Sequence, residues 1–419
     1  MAPFGPYCAI VLAIIIGGYC LDLAVETLNL RMARGELPDE FEGWYDPARY
    51  RKSQEYLRQS TRLTLAEEGA RTILLCAAVA LGWLDLADRW VRGIGVPAVP
   101  TGLAFAGLLC AAGQVLKAPF SACRIFRLEQ RYGFNRMTPA TFAKDLLKKW
   151  ILGGVIGGGA LALVIGLFER KGAGAWLPCW AAVALIQLFV IFIAPAVILP
   201  IFNTFIPLED GELKTAIHRS AKALGFRMRG VCRMDASRRS TRSNAFFTGI
   251  GRFRRIVLFD TLIARHTAPE LVAILAHEIG HYKKRHLLIS FIAGAASTGL
   301  MFFLISLLIE GRGLCAAFRL GRPSVYAGIV LFGILYAPIQ AVVSVFLNAL
   351  SRRNEYAADA FAARHAAGPE TMISALKKLS VDNLSNPTPH PLRVALDYGH
   401  PPILMRIRAL RGLSRAGAA

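Results

Sequence analysis

Seven runs of this chain are apolar over the length that crosses a bilayer as a helix, roughly 20 residues. They lie near residues 6–24, 70–90, 100–120, 150–168, 178–203, 287–309 and 324–348. Nothing else in the sequence restricts the fold as much. Inside hydrocarbon every backbone N–H and C=O must find a partner within the protein, so lone apolar runs of this length are helices. The bulk numbers agree. Mean hydropathy is +0.43, and 18% of the 419 residues are charged, below the roughly 25% of soluble domains. The 70–90 run is the weakest, with Asp85 and Asp88 near its end. The first run lacks a basic leading segment and a small-residue cleavage site, so it reads as a retained helix rather than a secretion signal.

Charge orients these helices. The net charge is +21. Lys and Arg gather in alternate connections: Arg31 to Arg62 in segment 25–69, Arg124 to Lys149 in 121–149, and again in 206–286 and after 350. The connections near 94–99, 169–177 and 310–323 are short and carry few charges. The positive-inside rule then puts the N-terminus outside and the polar segments, with the C-terminus, in the cytoplasm. No basic motif with interleaved aromatic residues is present, so nucleic acid is not an expected partner. None of the eight cysteines forms a C-x-x-C pair. They read as small buried hydrophobes, not as a disulfide framework or a cysteine zinc site.

The expected fold is mainly α: a polytopic membrane protein of about seven transmembrane helices with a smaller polar domain. Residues 1–205 hold five spans, 206–286 the first part of the polar domain, 287–348 two more spans, and 349–419 the rest of that domain. Residues 244–263 alternate enough to predict two short strands of a small β-sheet.

The chemistry is concentrated in His277-Glu278-Ile279-Gly280-His281, an H-E-x-x-H motif. Residues four apart lie on one helical face, so both imidazoles can reach one metal. Glu278 then lies beside the ion, where it can polarise a water. The apolar run 269–276 precedes the motif, and Thr267-Ala-Pro-Glu270 has the form of a capping box with an early proline. The motif is therefore expected in mid-helix.

A catalytic zinc takes three protein ligands and keeps one position open. His286 lies nine residues after His277 and, on a continuous helix, faces the wrong way. The pattern with a third histidine six residues after His281 fails, because Lys284 and Leu287 occupy its glycine and histidine positions. Glu355 and Asp359 are better placed, four apart on one predicted helix with small Ala357 and Ala358 between them. One can ligate the ion and the other accept the free ring N–H of a ligand histidine.

These residues resemble the type I CAAX prenyl proteases, integral-membrane zinc metalloproteases, and the chain is read as a bacterial member. The likeness runs through His277–His281, Ser351–Ala362, Ser243–Gly249 and Tyr398–Arg406 in the catalytic part. In the N-terminal half it runs through Tyr50–Tyr56 and Arg131–Thr138. The resemblance implies a seven-helix barrel around a water-filled chamber, with a zinc domain closing one end. It implies one zinc ion per chain on His277, His281 and Glu355, Glu278 as general base, and Asp359 behind a ligand histidine. It also implies that Asn244 holds the substrate backbone along an edge strand, that His400 stabilises the oxyanion, and that Arg406 contacts substrate or oxyanion. Met405 stands where an acidic residue is expected before that arginine.

The implied activity is endoproteolysis, removing the C-terminal tripeptide of prenylated proteins. A quality-control membrane protease without prenyl specificity is the alternative, and a transporter or scaffold with a structural zinc is a more distant one. The expected partners are a protein or peptide substrate and the lipid bilayer, and the expected state is a monomer. The expected membrane is the bacterial cytoplasmic membrane with the catalytic domain inside, or the endoplasmic reticulum in a eukaryote.

Overall fold

The computed structural model describes residues 5–33, 36–248, 254–309, 312–366 and 368–417. Helices α1 (Pro6–Met32), α2 (Pro47–Ala80), α3 (Trp83–Arg92), α4 (Ala98–Cys123), α5 (Pro139–Lys171), α6 (Trp176–Ile193) and the short α7 (Leu199–Phe202) lead into a polar domain. That domain holds strands β1 (Phe205–Pro207), β2 (Gly230–Met234), β3 (Ala245–Thr248) and β4 (Arg255–Phe259). Helix α8 (Glu212–Ala223) follows β1, and α9 (Asp260–Ile263) and α10 (Ala268–Lys283) follow β4. Then come α11 (His286–Leu308), α12 (Arg312–Ala317), α13 (Val325–His365), α14 (Pro369–Asp382), α15 (Pro391–Asp397) and α16 (Ile403–Gly417).

The long helices begin where the sequence offers caps. Asp46 accepts from the N–H groups of Ala48 and Arg49 at the head of α2, and Thr138 accepts from Thr141 at the head of α5, each with proline in the first turn. Five helical stretches are long and apolar enough to cross a membrane, or six if α2 and α3, bent by 68° at their junction, form one span. Gly82, with φ of 73°, makes that bend. The stretch Pro139–Phe202 counts as one of the five. It turns back at Gly172–Ala175, so that Cys179 of α6 lies against Val164 of α5.

The long helices touch in a ring, α1 to α2, α4, α5, α6, α11, α13 and back to α1. Their most apolar windows are only 0 to 22% buried. Most of their side chains therefore lie outside any packed core. One end of the ring is packed shut by Phe105, Ile165, Phe318 and Tyr326, all nearly fully buried. There a Cβ on Gly102 would lie 2.5 Å from the Tyr326 Cβ, so α4 and α13 approach as only glycine permits. The other end carries the polar domain.

The sheet has the order β1-β2-β4-β3, with β2 and β4 parallel and the outer pairs antiparallel. The two strands expected within 244–263 are β3 and β4; residues 249–253, including Gly249 of the quoted motif, lie outside the described residues. Strands β1 and β2 were not anticipated. Nor was the continuity of α13. The boundary expected near 348 falls inside a single 41-residue helix. Tyr326 at the packed end and Glu355 in the polar domain are therefore joined by one continuous helix, with Pro338 inside it, about 44 Å apart along its length at 1.5 Å per residue.

Candidate metal centre

Helix α10 starts as its sequence dictates. Thr267 and Glu270 form a capping box, and the Glu270 carboxylate also accepts from Lys378 at 2.7 Å and Ser374 at 2.5 Å. Burial would raise the Glu270 carboxyl, but the donors Lys378, Ser374 and Thr267 outweigh it and hold it at about 2. Nearly three turns on, α10 crosses α13 at small residues. A Cβ on Gly280 would lie 3.2 Å from the Ala358 Cα, and Ala358 is fully buried. This close crossing sets the H-E-x-x-H face of one helix against the Glu355–Asp359 face of the other.

Three ligand atoms converge there. His277 Nε2 and His281 Nε2 are 3.1 Å apart, and they lie 3.5 and 3.3 Å from the two carboxylate oxygens of Glu355. A tetrahedral ion bound at about 2.0–2.1 Å needs ligands about 3.3–3.4 Å apart, which matches. Among the described residues His277, His281 and Glu355 are the one group of His, Cys, Asp and Glu that could hold a metal ion. The donors also ask for a cation. Glu355 Oε2 is buried without a hydrogen bond. Burial would lower the His277 pKa, yet the neighbouring carboxylates of Asp359 and Glu355 push it up to about 9. The pocket favours positive charge between these groups.

The surrounding residues fix the ligands. His277 Nδ1 donates to Asp359 Oδ1 at 2.9 Å, which leaves Nε2 as the lone-pair face towards the site. Arg406 donates to both Asp359 oxygens, from Nε at 2.7 Å and Nη2 at 2.6 Å, and its Nη1 lies 3.5 Å from Glu355. The structure thus places Arg406, only 9% exposed, behind the ligands instead of at a substrate surface. Met405 is exposed and points away from this network; the acidic partner of Arg406 comes from α13.

His286 stays outside the ligand set, though not through helical phase. Helix α10 ends at Lys283, Arg285 takes a left-handed conformation with φ of 56°, and α11 starts at His286. The chain turns, and His286 Nδ1 comes back to 2.9 Å from His281 Nδ1. It faces the outer nitrogen of that ligand and does not join the converging set.

Glu278 lies on the wall of a cavity of about 680 Å³. Burial raises its carboxyl above the ordinary carboxylate value, and the nearby His277 and His281 pull it part of the way back. Beside it the wall includes His281, Phe246 and Phe247 of β3, Leu188 and Phe192 of α6, and Leu288 and Phe291 of α11. The cavity thus joins the metal centre to two of the membrane helices, and most of its lining is apolar.

His400 stands at the exposed side of the centre, with Nδ1 3.0 Å from Glu355 Oε1. Its two following prolines restrict the backbone that aims it. Asn244 sits at the entry to β3, an edge strand of the sheet. Its side-chain oxygen accepts from Ala245 N–H and its carbonyl from Phe259 N–H. It is exposed and does not line the cavity.

Two bracing residues went unread in the sequence. Arg352 Nη1 donates to the carbonyls of Val394 and Tyr398, both at 2.8 Å, and Asn348 donates to that of Leu396 at 2.6 Å. They tie the segment that leads to His400 onto α13, one to two turns before Glu355. Heptad-like spacing upstream of Glu355 was the available signal, but backbone carbonyls as partners leave no trace in a sequence.

Known proteins place this geometry. Residues 26–204 match the family described as CAAX prenyl protease N-terminal, five membrane helices, and residues 207–414 match peptidase family M48. A CAAX prenyl protease 1 homolog of Arabidopsis thaliana is 36% identical over 71% of this chain and 70% of its own. One from Oryza sativa subsp. japonica is 30% identical over 97% of both. The crystal structure of S. mikatae Ste24p superposes with a TM-score of 0.92 at 28% identity, covering 97% of this chain and all of that one.

Proposed function

Because the chain belongs to peptidase family M48 and carries the CAAX prenyl protease N-terminal domain, we infer that this membrane metalloprotease cleaves prenylated C-terminal peptides, and that His277, His281 and Glu355 hold a catalytic zinc. The observation that carries the reading is the position of the three converging ligand atoms. They lie beside Glu278 on the wall of a largely apolar cavity that reaches membrane helices α6 and α11. An isoprenoid chain needs such a lining, and a peptide bond needs the polar edge next to it. The names of the relatives point to the same substrate class.

Zinc bound there supplies a Lewis acid for the scissile carbonyl and lowers the pKa of water. The chain's own residues do the rest. Glu278 takes the proton of the attacking water and passes it to the leaving amine, a role that suits a carboxyl raised by burial. Asp359, locked by Arg406, keeps His277 in the tautomer that presents Nε2. Arg406 is a positioning residue in this scheme. His400, on the open side of Glu355, is placed to donate to the developing oxyanion. Asn244 opens edge strand β3, along which an extended peptide can pair.

The fold reads as seven passes, with α5 and α6 counted separately and α2–α3 as one bent span. The basic connections face the cytoplasm, and the protease domain is assembled from 206–286 and 349–419. The host membrane is the cytoplasmic membrane of a bacterium or the endoplasmic reticulum of a eukaryote. The enzyme works as a monomer.

The test is cleavage of a farnesylated CAAX peptide and its unmodified twin by purified enzyme, with and without chelator. Chelator-sensitive cutting that favours the farnesylated peptide supports the reading. Equal cutting of both leaves a zinc protease of membrane quality control. No cutting by zinc-loaded enzyme overturns the substrate assignment.

A further inference from the structure

Asn354 is a polar side chain of the cavity that the scheme above leaves unused. It precedes the ligand Glu355 on α13, is only 8% exposed, and lines the same cavity as Glu278 and His281. Among the described residues its amide makes no hydrogen bond. Ser351, one turn earlier on α13, lines the cavity too. The cavity wall also includes Phe246 and Phe247 of edge strand β3. Helix α10, which carries Glu278, packs against both β3 and α13, so the general base lies on the element between the strand edge and the amide.

The Asn354 amide opens into a largely apolar cavity, where a bound ligand can meet it. Its side chain offers two N–H donors and a carbonyl acceptor next to each other. The group that complements such a pair is another amide. A peptide in extended form shows one set of backbone groups to a strand edge and leaves the next set facing away from it. Those outward groups are left for a side chain on another wall of the cavity.

We propose that Asn354 is a substrate-recognition residue that hydrogen-bonds a backbone amide of the peptide next to the scissile bond, on the side turned away from the strand edge of β3. This rests on the protease reading above but not on prenyl specificity, since a backbone contact is shared by farnesylated and unmodified peptides. It also gives Asn354 a role apart from its neighbour Glu355: one holds the metal and the other holds the chain being cut.

The experiment compares peptide substrates in which single backbone N–H groups near the scissile bond are replaced by ester oxygen, on wild type and on Asn354→Leu and Asn354→Ala. The readout is the ratio of kcat/KM for amide over ester at each position. That ratio does not depend on the fraction of enzyme that folds or loads zinc, so a damaged variant still reports. One position is expected to show a roughly tenfold amide preference in wild type, collapsing to near one in both variants. The same ratio in wild type and variants at every position overturns the proposal. The substrate is whichever of the farnesylated or unmodified peptide the wild type cuts. If it cuts neither, the substrate reading fails separately, and the contact is read as the affinity of the same peptides for zinc-loaded Glu278→Gln with and without Asn354→Leu. Weaker binding of the double variant supports the contact, and unchanged binding overturns it.

Discussion

Arg406 closes on Asp359 with two parallel hydrogen bonds of 2.7 and 2.6 Å, and Asp359 Oδ1 also accepts from His277 at 2.9 Å. A guanidinium on α16 thereby sets the ring of a ligand on α10 through a carboxylate on α13. Arg406→Lys keeps the charge and loses the planar fork, which lysine cannot replace. We expect a folded protein whose zinc affinity falls about 10-fold or more, the usual scale for residues that orient a ligand. Arg406→Met leaves Asp359 and Glu355 buried with one cation fewer and should cost about 3–5 kcal/mol of stability. Chelator competition and thermal unfolding of the detergent-purified variants separate the two effects. A lysine variant with wild-type zinc affinity would show that the fork does not matter.

Glu278 makes no hydrogen bond among the described residues and stands on the cavity wall, beside the ligands and not among them. Glu278→Gln keeps the shape and removes the proposed base. We expect the metal content of the wild type to be retained and kcat to fall about 10²–10⁴-fold. Metal analysis and peptide cleavage on one sample check this. Loss of zinc together with activity would place Glu278 among the ligands.

The membrane class, the H-E-x-x-H helix and the Glu355–Asp359 pair were legible because each rests on local periodicity. Apolar length and a four-residue repeat survive whatever the tertiary fold does. The strand pairing of β1 and β2 was not legible, since Phe205–Pro207 is three residues long and gains its identity from Met234 to Cys232 across the sheet. His286 was rightly kept out of the ligand set, but its position was not legible, for a related reason. The helix was extended through Arg285, but a left-handed residue there turns the chain, and arginine gives no warning of positive φ. Arg406 was assigned to substrate or oxyanion through the resemblance alone; its carboxylate partner Asp359 lies 47 residues away on α13. Long-range polar pairs are set by packing, and packing is what a single sequence shows least.

The crossing of α10 and α13 gives a third test. A methyl at Gly280 would sit 3.2 Å from both the Ala358 Cα and the Phe361 Cβ. Alanine gains up to about 1 kcal/mol of helix propensity over glycine, against about 1–3 kcal/mol for overpacking a tight contact. The clash wins, and it acts on the separation of the two helices that carry the ligands. Gly280→Ala should therefore weaken zinc binding, and Gly280→Val should weaken it further, with helical content retained. Circular dichroism and chelator competition together are the measurement. Equal zinc affinity in wild type and Gly280→Val would mean that the close crossing does not seat the metal.

The Glu270 carboxylate, 5% exposed, gives the pH dependence of the helix that carries the motif. Its pKa is held at about 2 in the folded protein, below the ordinary value of 4.5, by Lys378, Ser374 and Thr267 against the opposing effect of burial. A depressed carboxyl stabilises the fold fully above its unfolded value, and that contribution drains away as pH falls from about 4.5 towards 2. At 1.36 kcal/mol per unit the shift corresponds to about 3 kcal/mol near neutral pH. Glu270→Gln retains the size and one acceptor and loses the charge facing Lys378. In chelator, so that zinc release does not intrude, its unfolding temperature should lie clearly below that of wild type at pH 7. The gap should narrow steadily between pH 4.5 and 3. A gap that stays constant over that range would assign the stabilisation to packing of the cap instead of to its charge.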